Sequence, residues 1–132
     1  MAEALSALVR DKWASLLVQD FVIAVEDTHR VVLESPNMQV VAGHDPRGEF
    51  DVSVRPRSAE WPTQWSYSGM VGTASIGRLL ELALAAMRAE PAILGGDPDF
   101  YERIGRENKA ISHAWTEYYA GRGSRPGDRH LS

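Results

Sequence analysis

Between Phe21 and Arg55 the hydrophobic period changes from that of helices to that of strands. It holds through four segments separated by turn residues, and no other stretch limits the fold as much. Phe21 to Val25 is apolar on both faces, as in an interior strand, and Thr28 to Glu34 alternates around Val31 and Leu33. A tight turn near Glu26 and Asp27 pairs these two as a hairpin. Ser35 and Pro36 interrupt, Met38 to Ala42 resumes, and Gly43-His44-Asp45-Pro46-Arg47-Gly48 is a strong turn. In the last segment Phe50, Val52 and Val54 face one way while Asp51, Ser53 and Arg55 face the other. The expected product is a four-stranded antiparallel meander, packed on helices on one side and partly wet on the other.

Helical periods flank the strands. Leu5, Leu8, Val9, Trp13, Leu16 and Leu17 recur at helical spacing, which predicts one amphipathic helix over 2–18. Thr73 or Ser75 caps a second helix whose stripe is Ile76, Leu79, Leu80, Ala83, Leu84 and Met87, ended by Pro91. Ala92 to Gly96 is expected to turn the chain. Asp97 then caps a third helix with Pro98 in its first position and an apolar line through Phe100, Ile104, Ile111, Trp115, Tyr118 and Tyr119. Asn108 falls on that line, so it either closes a buried hydrogen bond or marks where the helix leaves the core. The expectation is a two-layer α+β domain over 1–120, in the order α-β-β-β-β-α-α, followed by a flexible basic tail over 121–132.

Composition narrows the function classes. The chain has 132 residues, 44% hydrophobic and 24% charged, which is enough to bury a core as one domain. It has no cysteine, so disulfides, thiolate metal sites and cysteine nucleophiles are excluded, and a reducing cytoplasm is the expected location. No signal peptide is read in it, since Glu3, Arg10, Asp11 and Lys12 leave no long apolar core near the start, and no membrane span, since the longest apolar stretch, Leu79 to Met87, is short and broken by Glu81. The formal net charge of −4 disfavours nonspecific nucleic-acid binding and suits a protein partner with a basic face.

Motifs for catalysis or cofactors are not found. Gly72-Thr73-Ala74-Ser75-Ile76-Gly77 has the glycine spacing of a phosphate loop, but Arg78 and Leu79 stand where lysine and a magnesium-binding hydroxyl are required. Ser66, Ser68 and Ser75 lack a nucleophile elbow, and His29, His44 and His113 are scattered. His44 and Asp45 are adjacent without a third ligand at a metal spacing, which reads as a solvated turn. Arg55 and Arg57, with Arg30 and Arg47, are offset by Glu34, Glu49 and Asp51 and read as a mixed sheet face. No catalytic residue, metal ligand or cofactor is expected.

What remains is Trp61 to Gly77, WPTQWSYSGMVGTASIG, read as a glycine-rich connector carrying Trp61, Trp65 and Tyr67. These aromatics close the open end of the core, form a protein-binding surface or line the mouth of a small-ligand pocket. With Arg78 at the following helix start, where backbone N–H groups suit an anion, they are the candidate binding residues. In general build (small, acidic, cysteine-free, α+β, without a catalytic constellation) the chain resembles the immunity proteins with which bacteria neutralise a toxin. The resemblance is one of type and carries no residue across. It implies a non-catalytic role with a protein partner. The alternatives are a small-ligand module or enzyme with a pocket between sheet and helices, in which Arg78 and Asn108 would contribute, and self-association through Trp115, Tyr118 and Tyr119.

Overall fold

The computed structural model describes residues 5–45, 47–60, 63–70, 74–123 and 125. Strands β1 (Val22–Glu26), β2 (Arg30–Glu34), β3 (Met38–His44), β4 (Glu49–Pro56) and β5 (Trp65–Met70) form one antiparallel sheet in the order β1-β2-β3-β4-β5. The helices are α1 (Leu5–Lys12), α2 (Ala14–Leu17), α3 (Ile76–Ala89), α4 (Pro91–Gly95) and α5 (Pro98–Tyr119). The α+β class and the meander are as expected. The four-strand count is not, because Trp65–Met70, read as a connector, is a fifth strand paired with β4.

Register explains this strand. Trp65 lies opposite Val54, Tyr67 opposite Val52 and Gly69 opposite Phe50, so the three share the face on which β4 buries its apolar residues. Ser66 and Ser68 point to the other side and are exposed. Gly69 makes a close approach: a Cβ there would lie 2.7 Å from Leu79 Cδ2, so a side chain at that position would require Leu79 of α3 to shift.

Three further expectations are corrected. β1 is an edge strand rather than an interior one; it pairs with β2 alone, with a bulge between Ile23 and Val25, and leaves Val22 64% and Val25 40% exposed. The N-terminal helix is two pieces, because Trp13 leaves helical geometry (φ −111°, ψ 23°) to bury its indole fully, with Nε1 donating to Leu80 O at 2.9 Å. Ala92 to Gly96, read as a turn, is largely the short helix α4, stopped by Gly96 in the left-handed region at φ +71°.

The core lies between the sheet and α1, α3 and α4. Val31, Leu33, Val40, Val52 and Val54 from the sheet meet Leu5, Val9, Leu80, Ala83, Met87 and Ile93, each such aliphatic side chain contributing about 1.5–3 kcal/mol on burial. Local signals set the helix starts as expected: Ser75 Oγ accepts from Arg78 N, and the Asp97 carboxylate accepts from Asp99 N and Phe100 N. Thr73, the alternative cap, lies outside the described residues, as do Ser124 and residues 126–132 of the expected tail. No helix among the described residues is long and apolar enough to cross a membrane.

Candidate functional site

The sheet face turned away from the helices carries the site. Its cross-strand rows follow from the register. One row is Glu34, Gln39 and Arg55; the next is Val25, Val32, Val41, Ser53 and Ser66; the third is Arg30, Gly43, Asp51 and Ser68. Arg30, Gly43, Asp51 and Ser68 come from four different strands and meet only because the sheet is a meander.

The two ends of this face differ in how their polar groups are satisfied. At one end Gln39 Nε2 donates to Glu34, Arg55 Nε donates to Gln39 Oε1, and Arg57 pairs with Glu34 at 3.6 Å while donating to Ser35 O. That network is closed on itself. At the other end, among the described residues, the side chains of Arg30, Asp51 and Ser68 make no hydrogen bond or ion pair. A concavity of about 690 Å³ opens there, lined among others by His29, Arg30, Val41, Gly43, Asp51 and Ser68.

Two hairpin turns hold this end together. Asp27 Oδ1 accepts from His29 N and Arg30 N at 2.9 and 2.8 Å, and Asp45 Oδ1 accepts from Arg47 N and Glu49 N at 2.9 and 3.0 Å. Those backbone donors favour the ionised forms and hold both carboxyls below the usual aspartate range. The turns lie side by side, with His44 N donating to His29 O at 3.0 Å and the two imidazoles edge to face, 5.0 Å between centroids. Asp45 is thus a turn residue, as read from the sequence. Asp51 is different: partial desolvation, and then the nearby Asp45 charge, push its carboxyl above the usual value.

The sequence candidates lie elsewhere. Trp65 and Tyr67 are half-buried on the helical side of β5 and pack against the core. Trp61, with Pro62, lies outside the described residues. Arg78 is exposed on α3, with its guanidinium 3.4 Å from Glu81. Asn108 Nδ2 donates to Gln64 O at 2.9 Å, which ties α5 to the segment before β5. On the outer half of α5, Trp115 stacks on Tyr119 and meets Tyr118 edge on.

Sequence reasoning missed Gly43 and Asp51 as a pair. The available signal was that Gly43 stands two residues beyond Val41 and four beyond Gln39, in phase with the outward positions of a strand that continues to His44. Among the described residues no group of three or more His, Asp or Glu side chains is placed to hold a metal ion. A scan against protein-family models, a search of curated proteins and a search of solved structures each find no match to this chain.

Proposed function

We propose that this chain is a binding protein whose working surface is the uncovered sheet face at its hairpin end, and that its partner is another protein with basic groups at the contact. The observation that carries this reading is the contrast along one face: a satisfied network at Glu34, Gln39 and Arg55, and, around a concavity, the side chains of Arg30, Asp51 and Ser68 without a hydrogen bond or ion pair among the described residues. Polar groups left open in a concave surface are what a partner can satisfy. The acidic balance of the chain and the raised Asp51 carboxyl favour a positive contact. An immunity-type role in the cytoplasm is the biological form this reading takes.

Native mass spectrometry of the tagged protein from its own cells, followed by hydrogen-exchange footprinting of the complex, tests it. A stoichiometric protein partner with protection concentrated on β3, β4 and β5 is expected. Protection confined to the helical layer removes the reading. A small added mass in place of a protein supports the second reading, a small-ligand module, which the volume of the same concavity favours.

A further inference from the structure

Gly43 is a glycine that neither the backbone nor the packing requires. Its φ is not positive, unlike that of Gly48, Gly96 and Gly121, so no left-handed conformation calls for it. No neighbour presses on it either. A Cβ at Gly43 would meet His29 O at 3.4 Å and Asp51 Oδ1 at 3.6 Å, both ordinary contacts. The missing side chain therefore leaves two oxygen acceptors facing one point near the end of β3, and a glycine in a strand can mark close approach by another group.

We propose that this gap is the anchor pocket for an arginine side chain presented by a protein partner. The inference rests on the open-face reading above and names the group that the reading leaves unspecified. His29 O accepts one hydrogen bond, from His44 N, and retains a second lone pair; the Asp51 carboxylate accepts none among the described residues. Ser68 Oγ follows Asp51 in the same cross-strand row and adds a third acceptor. Arg30 stands across Gly43 from Asp51 without pairing to it, so among the described residues no cation pairs with the acid. A guanidinium presents five N–H donors in a planar fork and can address a carbonyl and a carboxylate from separate strands at once, whereas an ammonium is a point charge. Val41 lines the same concavity and offers apolar surface to the methylene stem.

The test is an NMR titration of the full ¹⁵N-labelled chain with Nα-acetyl-arginine N-methylamide, alongside the corresponding blocked glutamate and free arginine. Saturable shifts at the amides of Gly43, Asp51 and Ser68 with blocked arginine are expected. They should be lost in Gly43→Ala, whose methyl fills the gap without a clash, and weakened about tenfold in Asp51→Asn. Spectra unchanged away from the row show that both variants are folded. No saturable shift, equal binding by Gly43→Ala, or the same response to blocked glutamate overturns the proposal. Binding of free arginine much tighter than the blocked form overturns the protein source. If a partner's footprint covers the open face while blocked arginine does not bind, this inference alone fails. Binding of blocked arginine with a footprint elsewhere fails the broader reading instead.

Discussion

Gly43 and Gly69 are the same residue serving opposite ends. At Gly69 the helix α3 already occupies the side-chain position, and Leu79, which would have to move, is itself buried. Gly69→Ala should cost about 1–3 kcal/mol, the usual range for an overpacked core. Gly43→Ala should leave stability unchanged or raise it by about 0.4–1 kcal/mol through the unfolded chain. Urea unfolding midpoints of the two variants separate the cases. Tyr101 makes a second argument at this scale. Its buried hydroxyl donates to Ile93 O at 2.5 Å, in the short helix α4, so Tyr101→Phe should cost about 1–3 kcal/mol by leaving that carbonyl without its partner. Burial pushes the phenol well above its ordinary value of 10.0. The folded chain thus keeps a proton that the unfolded chain loses, so the stability tied to this group is complete below the ordinary phenol value and falls as pH rises past it. The wild type should lose stability above about pH 10 more steeply than Tyr101→Phe, as read from denaturation midpoints across that range.

Among the elements, β5 and α5 carry the clearest consequences. The alternation of β5 is present in its residues, with Trp65 and Tyr67 in phase and Ser66 and Ser68 out of phase, yet a local reading gives the glycines around it more weight and assigns a connector. Pairing with β4 decides the matter. Since Trp65 packs half-buried against the core, Trp65→Ala should lower stability by about 2–3 kcal/mol, somewhat below the range for a fully buried aromatic. Denaturant unfolding and partner affinity measured on the same variant distinguish this from an interface role. In α5 the residues that are fully buried, Tyr101 and Gly105, both lie in the first half. Beyond Asn108 the helix exposes Ile111 at 48% and Tyr119 at 78%. Amides after residue 110 should therefore exchange at least about tenfold faster than those from 101 to 108, because local opening there breaks little tertiary packing. Equal protection along the helix would show that its outer half is covered in solution.

At the scale of the molecule, a meander with helices on one side leaves the other side of the sheet to be satisfied by side chains or by a partner. Here one end is closed by Glu34, Gln39, Arg55 and Arg57, and the other is open around Gly43. Much of the architecture is local and was legible from residues alone. Outward and inward positions of β4 follow from its alternation, and the starts of α3 and α5 follow from Ser75 and from Asp97-Pro98, since a cap acts on N–H groups within three residues of it. What local signals do not contain is the order and register of the strands. The apolar run in β1 shows that those residues tolerate burial, but whether a second strand covers it depends on where the meander begins. The ends of the row Arg30, Gly43, Asp51 and Ser68 lie 38 positions apart in the chain, and nothing in the period of any one segment brings its members together. By itself the sequence determined the kinds of element, their caps and the burying face of the central strands, because those depend on neighbours along the chain. The tertiary structure alone decided which strand lies at the edge, that Trp65 and Tyr67 turn toward the core, and that the Asp51 carboxylate stands beside Gly43, because each depends on hydrogen bonding between segments far apart in sequence.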